Sequence, residues 1–349
     1  MNFRHLWTLT LAALPALVLA ACDSSMSDPS PQPDDESPMV DAGPIAELEA
    51  PEVRQDPTYS FTVSTRVYGQ GLAHSEWGGG TTEPVDLLLD VYEPDGAPPG
   101  RPVIVMIHGG GFFGGSRTME QMKTFAEYFA ERGWVSLSID YRLAHERGTV
   151  SADWMEYMRD NIPEEDWNQA YALYPAARDA KAAIRWLYAN AEDLEVDTDY
   201  ITAIGGSAGS YLAIMLGVTD AEDFRDEITL DEDETLASTF LDQPSQIHTI
   251  IDHWGGISHA EVLEANDGRS RFDPTDPPVS IVHGTADPTV PFSQAEALRD
   301  IYIENGVPFD FHPLEGAGHG PWGAIIDGMS LQELALAFIV EHQSLTVID

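Results

Sequence analysis

Residues 200–218 read YITAIGGSAGSYLAIMLGV: an apolar run, one serine enclosed by glycine and alanine, then a second apolar run. The first run is short and continuous, as in a strand buried on both faces, and the second has the length and composition of a helix. A chain turning from strand to helix this sharply strains the dihedrals of the residue at the corner. Gly205-Gly206-Ser207-Ala208-Gly209 has the form G-x-S-x-G, and its small residues remove the side chains that would clash with the neighbouring strand and helix. The turn leaves the Ser207 hydroxyl above the strand end, beside a helix N-terminus whose field favours negative charge.

The same rhythm runs through the chain. Strand-like runs occur at 85–92, 102–108, 134–141, 200–206, 247–256, 277–284 and 308–313, and helix-like ones at 122–133, 174–191, 210–218 and 331–343. Strands alternating with helices of this length predict an α/β class, with a mostly parallel central sheet and helices on both faces. Two stretches fit the rhythm poorly. Residues 144–173 carry Trp154, Met155, Tyr157, Met158, Trp167 and Tyr171 among charges, which predicts a lid over a pocket mouth. Residues 219–245, with DEDE at 231–234, read as a solvated surface excursion.

Before the first strand lie two segments of other character. Arg4 and His5 precede an apolar run from Leu6 to Leu19 that stops at LAAC, Leu19–Cys22. A charged start, a short apolar stretch and a small-residue cleavage site read as a secretory signal over residues 1–21. The run is shorter than the ~20 apolar residues of a membrane span. It resembles the lipobox of bacterial lipoproteins, which implies that Cys22, the single cysteine of the chain, carries lipid and anchors an exported protein to the cell envelope. Residues 22–57 are rich in Pro, Ser, Asp and Glu and read as a flexible acidic tether, leaving 58–349 as the catalytic domain. The chain carries 59 acidic against 17 basic residues, a net charge of −42. Nucleic-acid binding, which needs clustered cations, is excluded on that ground.

A serine is a poor nucleophile near neutral pH unless a base takes its proton and donors receive the developing oxyanion. His108-Gly109-Gly110-Gly111-Phe112 follows an apolar run and matches an HGGG-type loop, whose bare glycine N–H groups can face a substrate oxygen. Gly110, Gly111 and Ala208 are the predicted oxyanion donors, each such donor lowering a barrier by ~3–4 kcal/mol. The partners of such a serine follow it in the order acid, then histidine. HGTADPTVP (283–291) places Asp287 just past a strand, and GAGHGPW (316–322) places His319 in a glycine-flanked loop after the last strand. His253, His259, His312, Asp252 and Asp276 also follow Ser207, but they sit within strands or ahead of the expected acid. His108 reads as a support of its loop. Ser207, Asp287 and His319 are therefore the predicted triad.

HGGGF, DYRLA (140–144), GGSAGS, HGTADPTVP and GAGHG, in this order, resemble the α/β-hydrolase esterases, most closely the carboxylesterase and feruloyl-esterase-like branch bordering the hormone-sensitive lipase family. The resemblance covers about residues 80–342. It implies the α/β-hydrolase fold and cleavage of carboxylic esters, small or polysaccharide-linked; the sequence carries no metal cluster, phosphate loop or dinucleotide fingerprint, so no cofactor or metal is expected. The hormone-sensitive lipase group usually has an acidic residue where Gly206 stands and a larger N-terminal cap, and neither is evident here. Phe112, Phe113, Trp154 and Trp322 are the expected acyl or aromatic pocket. An exopeptidase or amidase using the same triad, and a binding protein that kept the fold without the activity, remain open at this stage.

Overall fold

The computed structural model describes residues 50–349. The expected signal segment, Cys22 and most of the expected tether lie outside the described residues. Strand β1 (Glu52–Arg54) opens the described chain. The central sheet contains β2 (Phe61–Glu76), β3 (Gly79–Pro94), β4 (Arg101–Ile107), β5 (Val135–Ile139), β6 (Val196–Gly206), β7 (Thr249–His253), β8 (Val279–Gly284) and β9 (Phe309–Leu314). Their spatial order is β2-β3-β5-β4-β6-β7-β8-β9. The first two junctions are antiparallel, and from β5 to β9 every pairing is parallel. A short antiparallel pair, β10 (Ile325–Ile326) and β11 (Met329–Ser330), follows. β12 (Thr346–Ile348) then returns to pair in parallel with β1. That pairing makes Glu52–Arg54, expected in the tether, part of the fold.

Helices α1 (Glu120–Ala130), α2 (Ala152–Asn161), α3 (Trp167–Ala189), α4 (Ala208–Val218), α5 (Ser258–Asp267), α6 (Phe292–Asn305) and α7 (Leu331–His342) complete the described elements. The period-two alternation of the strands assigns them to faces. Val103, Val105 and Ile107 of β4 pack with α3, α4 and α6 residues such as Ile184, Leu212 and Leu298. Ile104 and Met106 pack on the other face with Phe125 and Phe129 of α1 and Leu334 and Phe338 of α7. All seven β4 residues are buried, and each fully buried aliphatic side chain contributes about 1.5–3 kcal/mol. Local chemistry sets the helix ends. Ser330 and Glu333 form a capping box at the start of α7, and α5 and α6 stop at Gly268 and Gly306 in the left-handed region.

Every strand and helix expected above is present. Strands β1, β2 and β10 to β12 and helices α2, α5 and α6 were not foreseen: β2, for one, is an edge strand with half-exposed Val63 and Val67, too polar to stand out. The two unassigned stretches also differ from expectation. Within 144–173, Trp154, Met158 and Ile162 enter the main core, and the Trp154 indole N–H donates to Ala170 O at 3.0 Å. This stretch is part of the helical layer and not a detached lid. Residues 219–245 are not a solvated excursion. Phe224, Ile228 and Leu236 are buried, Lys181 Nζ of α3 donates to the carbonyls of Asp220 and Asp223, and Arg185 Nε donates to Thr239 O at 2.8 Å.

The chain leaves β4 toward β5 on one side, and β6 lies on the other side of β4. The β4/β6 boundary is therefore where strand order reverses, and loops leaving the two carboxyl ends diverge to open a crevice.

Candidate active site

Ser207 stands at that crevice, between the last residue of β6 and the first of α4. Its φ of 55° and ψ of −125° lie in a region that side-chain-bearing residues rarely occupy. The corner holds because the backbone is over-determined. Ser207 N–H donates to His253 O on β7 at 2.9 Å, and Ser207 O accepts from Ser210 N–H at 2.9 Å and Tyr211 N–H at 3.2 Å. A Cβ on Gly205 would overlap the Gly209 carbonyl, and one on Gly209 would overlap Ile107 O of β4. The small residues around the serine are thus a steric requirement of the elbow.

The loops after β8 and β9 bring the partners. His319 Nε2 lies 2.9 Å from Ser207 Oγ, and His319 Nδ1 lies 2.7 Å from Asp287 Oδ2. A carboxylate only accepts, so Nδ1 carries the proton and Nε2 accepts from the serine hydroxyl. Asp287 Oδ1 accepts from the N–H groups of Thr289 at 2.7 Å and Val290 at 3.0 Å. Burial raises the Asp287 carboxyl, but the His319 hydrogen bond and these backbone donors outweigh it and hold the group below the usual carboxylate range. The two loops are laced together. Thr285 N–H donates to Leu314 O, Ala286 N–H to Ala317 O, and Gly316 N–H to Thr285 Oγ1.

Peptide planarity aims the donors opposite the histidine. In a trans peptide the C=O of one residue and the N–H of the next point in opposite directions, so fixing the carbonyl aims the N–H. Gly109 O is held by His108 Nδ1 at 2.8 Å, which sets the Gly110 N–H. Gly110 O accepts from Phe113 and Gly114 N–H groups, which sets the Gly111 N–H. The two hydrogen bonds to Ser207 O do the same for Ala208. None of these three N–H groups donates to a protein acceptor among the described residues. Gly110 and Gly111 have φ of 119° and 62°, a path open to glycine at little cost. His108 is buried, with its ring stacked 4.2 Å from that of Tyr141, whose hydroxyl donates to His108 O. Burial pushes its imidazole down, and it faces Gly109 and not the serine.

The other rivals are placed elsewhere. His253 and His259 are buried, and burial depresses each to about 3. Asp252 accepts from Ser210 Oγ and Gly255 N–H, and His312 faces Asp310.

A cleft of about 330 Å³ opens over Ser207, with Gly110, Gly111 and His319 in its wall and Trp254, Trp322, Met119 and Met122 as its apolar sides. The Trp254 and Trp322 rings meet edge to face at 4.8 Å and 84°. Of the four expected pocket residues, the structure places only Trp322 here. Phe112 is fully buried against Tyr141 and His259. Phe113 is nearly half exposed outside the cleft, and Trp154 packs in the core with Tyr174 and Phe224. An aromatic residue next to a glycine loop carries no signal of which way it points, hence the correction. Trp254, Met119, Met122, Gln169 and Thr289 line the cleft without having been foreseen. Trp254 had one usable signal, its position directly after a parallel strand. Gln169 is almost wholly buried and donates from Nε2 to Gly111 O at 3.0 Å, bracing the donor loop from α3.

Fold and site together define an α/β-hydrolase with a Ser–His–Asp hydrogen-bond chain at its elbow. The BD-FAE family pattern matches residues 89–154 and 167–271, a span that includes the glycine loop and Ser207. Esterase LipC of Mycobacterium tuberculosis is 28% identical over 257 residues, covering 67% of this chain and 56% of that protein. Esterase LipQ of the same organism is 26% identical over 246 residues, covering 61% and 50%. The chain thus spans about half the length of these curated relatives. Among solved structures, Thermogutta terrifontis esterase 2 in its apo form is 29% identical with a TM-score of 0.55, covering 80% of this chain and 94% of that one. The butyrate-bound form of that esterase is 27% identical with a TM-score of 0.56, at the same coverage.

Proposed function

We propose that this protein hydrolyses carboxylic esters through an acyl-enzyme. Ser207 Oγ attacks the ester carbonyl as His319 Nε2 takes its proton, and Asp287 orients and stabilises the resulting imidazolium. The N–H groups of Gly110, Gly111 and Ala208 receive the oxyanion, whose charge develops where three fixed dipoles converge. His319 then returns the proton to the leaving alcohol, and water repeats the sequence on the acyl-serine. The observation that carries this reading is the continuous Ser207–His319–Asp287 hydrogen-bond chain at 2.9 and 2.7 Å beneath an apolar cleft. A butyrate-bound relative supports short acyl groups as the first substrates to try. Hydrolysis of p-nitrophenyl acetate, butyrate and octanoate by the protein and by Ser207→Ala tests it. Turnover that vanishes in the variant is the expected result, and a folded wild type inactive on all three esters would overturn the reading.

The lipobox-like LAAC supports a second part of the proposal: the protein is exported and lipid-anchored to the bacterial cell envelope through Cys22. Radiolabelled palmitate should be incorporated by the expressed protein and not by Cys22→Ala. Labelling of neither would refute the anchor and leave the esterase reading untouched.

A further inference from the structure

On the α3 face turned toward residues 219–245, Arg178, Lys181 and Arg185 recur at three- and four-residue spacing, and all are buried. The chain has only 17 basic residues to 59 acidic ones. With Arg142 alongside, four of the 17 converge in the interior behind this layer.

Their partners are unequal. Arg142 occupies both oxygens of Asp179 through Nε and Nη2, with its own N–H adding a further bond. Lys181 is satisfied by the carbonyls of Asp220 and Asp223. Arg178 Nη1 stands 4.0 Å from Asp233 Oδ2, beyond hydrogen-bond range, and that carboxylate already accepts from Thr149 and Thr235. Arg185 gives Nε to Thr239 O and has no carboxylate partner among the described residues. Arg178 Nη1 and Nη2 and Arg185 Nη1 are buried and donate to no acceptor among the described residues. Both side chains line one small cavity with Arg142, Asp179, Arg225, Phe224 and Leu236 around it, and the Asp179 oxygens in its wall already accept from Arg142. The free space, about 10 Å³, is that of one water molecule, so a slightly larger guest enters only as the guanidinium groups move outward by a few tenths of an ångström.

We infer that this cavity binds a small monovalent anion of the halide class, held between the guanidinium groups of Arg178 and Arg185. A guanidinium does not neutralise itself by losing its proton. Burial, with Arg178 and Arg225 beside it, lowers Arg185 only to about 10, so it remains a cation at neutral pH. An unpaired buried charge is strongly destabilising. Water can accept hydrogen bonds there but leaves the charge uncompensated, whereas a halide accepts several N–H groups and cancels it. Larger oxyanions exceed the space. The negative surface does not prevent this, because surface charges beyond about 8–10 Å are screened by salt while contacts in the interior are not. Arg185 also holds Thr239 O, so the anion clamps the 219–245 segment to α3.

The test compares melting temperatures of the full-length protein in sodium chloride, bromide and gluconate at equal sodium concentration, which equalises screening. Chloride and bromide should raise the midpoint above gluconate by about 2–4 °C, rising with the logarithm of concentration. Arg185→Met removes the unpaired charge while keeping much of the volume, and it should abolish that difference. Should that variant not fold, wild-type crystals grown in sodium bromide give an independent readout: an anomalous peak within hydrogen-bond range of the Arg178 and Arg185 nitrogens. Identical midpoints in the three salts, or density there without anomalous signal, would overturn the assignment.

Discussion

The indole of Trp322 lies across the α-carbon of Gly206, the residue immediately before Ser207. A Cβ at 206 would stand 2.5 Å from Trp322 Cζ2 and 3.3 Å from Trp254 Nε1. Esterases of the hormone-sensitive lipase group, which borders the branch this chain resembles, usually carry an acidic residue at this point. Here a tryptophan takes that space and forms the cleft wall.

Gly206→Ala is therefore expected to push Trp322 off its seat and disturb the neighbouring serine. Overpacking of this kind costs about 1–3 kcal/mol in stability. A displaced site costs more in rate, so kcat/KM on p-nitrophenyl butyrate should fall by roughly tenfold to a hundredfold. In a Trp322→Ala background the same substitution should cost much less, because the colliding ring is gone. Steady-state kinetics on the four proteins of this cycle checks the coupling. Equal losses in both backgrounds would rule out the contact as the cause.

Removing the nucleophile and removing the orienting acid should differ in size. Ser207→Ala should lower kcat by on the order of 10⁶ and leave the melting temperature nearly unchanged. Asp287→Asn keeps the shape but favours the wrong imidazole tautomer, and should lower kcat by on the order of 10⁴. Single-turnover kinetics with excess enzyme checks both. An Asp287→Asn protein with wild-type kcat would assign the acid elsewhere.

Arg142 and Asp179 form a deeply buried ion pair, with side-chain exposures of 3% and 2%. Arg142 Nη1 also donates to Leu72 O at 3.0 Å, so one guanidinium joins β2 to α3. Arg142→Ala should destabilise the fold by about 3–5 kcal/mol, because it strands a buried carboxylate. Urea denaturation followed by circular dichroism measures this. A loss below about 1 kcal/mol, the range of an exposed pair, would contradict the buried geometry.

Glu261 on α5 has a pH signature. Burial raises its carboxyl to about 7, with Glu264 nearby adding repulsion. The folded state therefore holds this proton more tightly than the unfolded chain, whose carboxyl titrates near 4.3. Stability from the protonated form is fully present below the unfolded value and is lost as pH rises through about 7. Glu261→Gln mimics the protonated form. It should melt with wild type at pH 4 and above it at pH 8. Superimposable melting curves across that range would remove burial as the cause.

Much of the fold was legible because its signals are local. The apolar run of β4, buried at every residue, marks a strand enclosed on both faces. Gly205 and Gly209 were legible for the same reason: one strand–turn–helix corner admits nothing larger. Chain order and loop placement then separated Asp287 and His319 from Asp252 and His253, and the structure brings the first pair to Ser207.

Sequence alone thus determined the α/β layering, the elbow at Ser207, and which acid and histidine follow it on loops. Tertiary structure decided the rest. Trp154, expected in the pocket, is held in the core by the carbonyl of Ala170 and the ring of Phe224. Trp254, unnoticed, lines the cleft because β7 ends beside β6. The acidic 219–245 segment, expected in solvent, is bound by cations projecting from α3. Periodicity and backbone sterics act within a few residues, so they can be read along the chain. Which side chains share a cavity depends on strand order and register, and these arise only when distant segments bury apolar surface together.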